Sequence, residues 1–150
     1  MSSLFLYYSH SGNGDAVADL FREKGAAIRK VTPKKPLPKS FFGAVMKGGF
    51  LATIGHKSKL LDWNESLEGF DRVVIGSPVW NGRFSCPINT VLFSLDLTGK
   101  EVAFVLYAGG GTAPKAAERI AKEYPTAKLV VLKEPKKYPD ELEKLVELFE

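Results

Sequence analysis

Cysteine is nearly absent. Cys86 stands alone in 150 residues, so no intramolecular disulfide framework is available and packing must hold the fold. Histidine is scarce too. His10 and His56 lie far apart and, with one thiol, make no metal-ligating pattern. No apolar run approaches the roughly 20 residues of a membrane-spanning helix. The opening Met1-Ser2-Ser3-Leu4-Phe5-Leu6 lacks the basic flank and long apolar centre of a secretory leader. The expectation is a cytoplasmic protein with no membrane contact. The net charge of +4 comes without a helix-turn-helix, zinc or RNA-recognition pattern, so no nucleic-acid partner is expected. Cys86-Pro87 could open a helix with an activated thiol. A phosphatase loop Cys-x5-Arg would need arginine at position 92, which is Leu92. Cys86 is therefore read as structural.

Hydrophobic residues make up 45% of the chain and charged residues 25%, a balance that suits one globular domain. Short apolar runs at 4–8, 27–31, 72–76, 102–107 and 129–132 read as strands. They are near-continuous rather than alternating, as in strands covered on both faces. Between them lie helical spacings. Val17, Leu20 and Phe21 mark a helix over 15–24 that Gly25 can end. Ile88, Val91, Leu92 and Leu95 mark a second. A third covers 113–122, with Thr112 as expected N-cap and Pro114 in its first turn. Leu142, Leu145, Val146 and Phe149 give a last helix its apolar stripe. The order predicts an α/β fold: a doubly wound, five-stranded parallel sheet, order 2-1-3-4-5, with helices on both faces. One domain spans 1–150. Residues 32–63 interrupt the alternation. Pro33, Pro36 and Pro38 among lysines predict an extended loop, and the glycine-punctuated apolar run 41–54 a short or broken helix. This segment is read as a cover over a site or as a partner surface.

In such a sheet ligands bind beyond the carboxyl ends of the strands, where the strand order reverses. The loops after strands 1, 3 and 4 meet there. The first is Ser9, His10, Ser11, Gly12, Asn13 and Gly14, followed by Asp15 as helix cap. Its small residues let backbone N–H groups converge on an anion at a helix N-terminus. It holds no Lys or Arg, so a phosphate there would meet neutral donors. Neither a nucleoside-triphosphate loop nor a complete Gly-x-Gly-x-x-Gly is present. His10 is read as solvent-facing. The second loop is Ser77, Pro78, Val79, Trp80, Asn81 and Gly82, with Arg83 at its rim. Trp80 could stack on a planar ring, or anchor the core beside an Asn81-Gly82 turn. The third is Ala108, Gly109, Gly110 and Gly111, where backbone can approach a ring edge closely, or simply turn. Acidic residues at the ends of strands 1 and 3, as a receiver domain requires, are missing.

Those three loops, in this order, resemble the flavodoxin family over most of the chain. Ser9-x-Ser11-Gly12-Asn13-Gly14 is similar to the family's Thr/Ser-x-Thr/Ser-Gly-x-Thr. The run from Asp71 to Trp80 resembles the next signature, and Ala108 to Gly111 the third. Two departures stand out: Gly14 replaces the last hydroxyl, and the chain is basic where electron-carrier flavodoxins are typically acidic. The resemblance implies FMN as cofactor. Residues 9–14 would hold its phosphate, Ser77 to Trp80 would flank the ribityl chain and ring, and Gly109 and Gly110 would meet the ring's pyrimidine edge. It implies electron transfer with a redox partner protein or a small-molecule acceptor, or a small oxidoreductase of the quinone-reductase kind. A flavin-free module with a basic partner surface is the competing expectation, motivated by Gly14 and the lysines of 32–59.

Overall fold

The structure, a computed structural model, describes residues 1–35 and 41–149. Pro36, Pro38 and Lys39 lie outside the described residues.

Five strands form the parallel sheet: β1 (Ser3–Tyr7), β2 (Ala27–Lys30), β3 (Arg72–Trp80), β5 (Glu101–Ala108) and β6 (Lys128–Lys133). Their order is β2-β1-β3-β5-β6, the expected winding once the short β4 (Arg83–Phe84) is set aside. β4 turns back antiparallel on the end of β3, with Val79 opposite Phe84 and Trp80 opposite Arg83. β3 is thus longer than its apolar run of 72–76 suggests. Ser77 and Pro78 continue the pairing with β5, and the chain reverses only at Asn81 and Gly82. Both of these residues have positive φ, 51° and 73°, the backbone that a tight two-residue hairpin requires.

Alternation along the buried strands divides the core in two. Leu4, Leu6, Ile75, Phe104 and Leu106 face α3 (Cys86–Ser94) and α4 (Pro114–Glu123) through Ile88, Val91 and Ile120. Phe5, Tyr7, Val74, Val105 and Tyr107 face α1 (Asn13–Glu23) through Val17 and Phe21. Phe5 and Phe21 stack with centroids 4.5 Å apart. The C-terminal helix packs on this second face, but it is a 3-10 helix, Pro139–Leu148. Three residues per turn align Leu142, Leu145 and Leu148. Leu145 and Leu148 are fully buried, whereas Val146, expected inside on an α-helical repeat, is exposed.

Between β2 and β3 the chain makes an insertion whose ends, Thr32 and Leu61, are joined. Its ends pair through Pro33 and Leu60, with Leu61 N–H donating to the Thr32 carbonyl at 2.8 Å. Within it, α2 (Phe41–Thr53) is one continuous helix rather than a broken one. Its glycines weaken a helix without forbidding it. Asn81 Nδ2 donates to Thr53 Oγ1 at 2.7 Å, and Asn89 Nδ2 to the His56 carbonyl at 3.1 Å. The insertion is therefore fastened to the hairpin turn and to α3. Among the described residues, no helix is long and apolar enough to cross a membrane.

Candidate functional site

The carboxyl ends of β1, β3 and β5 reach one edge of the sheet, and each of the three loops leaves from there. At β1, Gly12 adopts φ 95° and caps α1, where Asp15 was expected. The first turn of a helix leaves its leading N–H groups without intrahelical acceptors. Ser9 Oγ takes two of the loop's amides, from Gly12 at 3.2 Å and Gly14 at 3.0 Å. Its hydroxyl oxygen is committed to shaping the loop. His10 and Ser11 are exposed at its tip.

Asp15 sits in the first turn but its carboxylate is held elsewhere. Tyr7 Oη donates to it at 2.6 Å and Lys30 Nζ at 3.0 Å. Burial pushes this carboxyl up, yet the Tyr7 and Lys30 hydrogen bonds and the charges of Lys30 and Lys136 outweigh it, leaving Asp15 below its ordinary value. The carboxylate stays ionised and tied to Lys30.

Gly14 is enforced by packing. A Cβ there would meet the hydroxyl of Tyr107 and lie 2.8 Å from both Ser9 Cβ and Tyr107 Cζ. Tyr107 is buried, and its hydroxyl donates to the Tyr8 carbonyl. Desolvation holds its phenol well above the ordinary tyrosine value, so it remains a neutral donor. The space for a threonine side chain at this point of the loop is filled by that phenol.

The second and third loops share a cavity of about 480 Å³, lined by Val79, Asn81, Gly82, Ala108, Gly109 and Gly110, with Arg83 and Lys115 at its cationic border. Gly82 is fixed by its positive φ, and its carbonyl accepts the Ala116 N–H at 2.9 Å. Gly109 and Gly110 differ: neither has positive φ, and a Cβ on either would find nothing within 4 Å. Ser77 does not reach this cavity. It is fully buried, its Oγ 2.8 Å from Ser85 Oγ and accepting the Ser85 N–H at 3.1 Å. Pro78 pairs with Tyr107 in the sheet. Trp80 meets Tyr8 edge-on at 5.9 Å and lines a second cavity of about 450 Å³, with Leu51, Pro33 and lysines of the insertion, rather than the first. The N-cap of α4 is Ala113, not Thr112. Cys86 is buried and desolvation pushes its thiol up to about 11, the opposite of an activated thiol.

A family model described as Flavodoxin matches residues 2–147. The chain belongs to the flavodoxin family. Its fold is shared with a candidate flavoprotein from Bacteroides eggerthii, at TM-score 0.76 and 19% identity over 99% of this chain and 97% of that one. A flavoprotein from Lactobacillus acidophilus, solved in complex with FMN, aligns at TM-score 0.72 and 21% identity over 93% and 97%. At such identities the likeness is one of fold. No curated protein sequence matches.

In this flavodoxin-family chain the loop expected to offer only neutral donors has a cation beside it, supplied from the far end of the chain. Lys136 N–H donates to Asn13 Oδ1 at 3.0 Å, and its Nζ lies 3.5 Å from the Ser11 carbonyl. Lys136 belongs to a basic group, Lys133, Lys136 and Lys137, that is plain in the sequence. Nothing in its spacing connects it to residues so distant. Lys115 of the first cavity was equally unmarked, and Thr112 was marked only as a helix cap.

Proposed function

We propose that this flavodoxin-family chain binds FMN across the three loops and serves electron transfer, as a carrier or a small oxidoreductase. The observation that carries the reading is the pair Gly109 and Gly110. Glycine at both positions is demanded neither by backbone conformation nor by a protein neighbour. Its bareness has a use only for something that comes from outside, and a flat ring edge approaching the peptide groups supplies that use. The rest of the site fits the same ligand. The helix-start amides of Ser11, Asn13 and Asp15, which Ser9 Oγ does not take, are left for a phosphate, and a 480 Å³ cavity between the hairpin and the third loop falls within the range of about 300–1,000 Å³ usual for cofactor sites. Val79 and Ala108 give it apolar wall, and Asn81 and Thr112 give polar groups for orientation. FMN supplies the redox chemistry when bound, and the chain positions it.

Purified protein should carry flavin absorbance or take up added FMN with quenching of its fluorescence. Failure to bind at high-micromolar FMN sinks the reading and leaves the flavin-free module. Direct oxidation of NADH or NADPH with a quinone acceptor marks an enzyme; its absence, with transfer to a protein acceptor, marks a carrier.

The electron partner is proposed to be anionic, in a reducing compartment such as the cytoplasm. Residues 24–61 contain no Asp or Glu. Lys34, Lys35, Lys47, Lys57 and Lys59 surround the cavity that includes Tyr8 and Trp80. A field of one sign beside a redox site steers a partner of the other sign. Transfer should slow as ionic strength rises.

A further inference from the structure

Resting on the reading that FMN phosphate occupies the first loop, we propose that Lys136 is the phosphate's counter-charge and makes the chain select FMN over riboflavin. A phosphate monoester carries a charge of about −1.5 to −2 at neutral pH. Residues 9–14 contain no Lys or Arg to meet it, and the nearby carboxylate of Asp15 would repel it.

Three observations put Lys136 in that role. Its side chain lies directly over Gly12. A Cβ built there would be 3.1 Å from both Lys136 Cδ and Nζ, so glycine at position 12 gives the lysine its place as well as its φ of 95° to the turn. Its backbone is pinned to the loop by the Asn13 side chain at 3.0 Å, and its ammonium contacts the Ser11 carbonyl only at 3.5 Å. That long contact leaves donors for a ligand. Lastly, Lys136 forms no salt bridge among the described residues, because Asp15, the acid that bears on it, is paired with Lys30 at 3.0 Å.

Its neighbours are otherwise employed. Lys133 and Lys137 hold their ammonium groups 5.5 Å and 5.3 Å from the Tyr138 ring centroid. Lys133 also packs against Gly111, its Cβ 3.5 Å from a Cβ placed there. Residues 133–137 therefore run from the third loop to the first, and only Lys136 presents its charge to the helix start.

The test titrates apo-protein with FMN and with riboflavin, for wild type, Lys136→Met and Lys136→Arg, at low and high salt. Lys136 is exposed, so both variants should melt like wild type; circular dichroism checks this. Lys136→Met should lose at least tenfold in FMN affinity, with a shallower salt dependence. Lys136→Arg should retain most of it, and riboflavin should bind all three proteins alike. Unchanged FMN affinity in Lys136→Met overturns the role of Lys136 alone, as does an equal loss for riboflavin. Wild type that binds neither flavin overturns the FMN reading, and this inference with it.

Discussion

Glycine does two different jobs at the two ends of the candidate site. At Gly14 the missing side chain is required by the protein itself: Tyr107 and Ser9 occupy the space. At Gly109 and Gly110 the missing side chains leave open space that no protein atom uses. The first end is packed by the protein's own side chains, and the second leaves the room that the proposed flavin ring would fill. A glycine that packing explains reports on folding. A glycine that neither packing nor positive φ explains, unlike Gly25, Gly55, Gly69 and Gly99 with their positive φ, points to binding.

The sharpest way to break this comparison is to give Gly14 a methyl group. Gly14→Ala must displace the Tyr107 phenol, which costs its buried bond to the Tyr8 carbonyl as well as packing strain. Overpacking and an orphaned buried carbonyl together predict a loss of about 3 kcal/mol. Thermal melting should drop by roughly 6–12 °C for a domain of this size. A variant that melts within a degree of wild type would show that the loop yields easily and that Gly14 is not a packing residue.

Tyr107→Phe attacks the same end from the other side. It removes the hydroxyl and leaves the Tyr8 carbonyl unpaired in the core. The expected cost is about 2 kcal/mol, read from denaturant unfolding. Combined with Gly14→Ala it should cost less than the two single changes summed, because the clash with the hydroxyl has gone. Strict additivity would mean that the two residues do not share their space.

How much of this was legible beforehand follows from the range over which each signal acts. The strands were legible because burial on both faces leaves continuous apolar runs, and the meeting of the three loops at one sheet edge followed from the winding. The Asn81-Gly82 turn was readable from its residue types, but the continuation of β3 to Trp80 was not, since Ser77 and Pro78 look like loop. Gly14 looked like a defect in a phosphate motif until Tyr107, from another strand, gave it a cause. Lys136 was visible as part of a basic cluster and invisible as a neighbour of Gly12, since adjacency across the fold leaves no trace in spacing. The 3-10 geometry of the last helix could not be separated from an α-helix, because Leu142 and Leu145 fit both repeats and only Leu148 against Val146 decides.

At the open end the same substitution should act on binding and spare the fold. Gly110→Ala places a methyl in empty space at an ordinary φ, so stability should hold within about 0.5 kcal/mol. FMN affinity should fall about tenfold, or about 1.4 kcal/mol, as the methyl holds the ring edge away. Calorimetric titration beside a thermal melt separates the two effects. Unchanged affinity would remove the main support for a ring at this loop.

The smallest expected effect lies at the packed end, on the Asp15 carboxylate that Lys30 holds beside the proposed phosphate loop. The folded pKa of Asp15 is depressed, so its contribution to stability is present above the ordinary carboxylate value and is lost as pH falls through the folded one. The Lys30 pair is half-exposed, and exposed pairs contribute little, so Asp15→Asn should change stability at neutral pH by less than about 0.5 kcal/mol. Unfolding curves from pH 6 down to pH 3 should show wild type losing its small advantage over the variant in the acid range alone. A gap that stays constant with pH would mean that the Tyr7 hydrogen bond matters here and the charge does not. In either outcome, a variant whose FMN affinity rises would identify Asp15 as a residual repulsion at the phosphate that Lys30 only partly offsets.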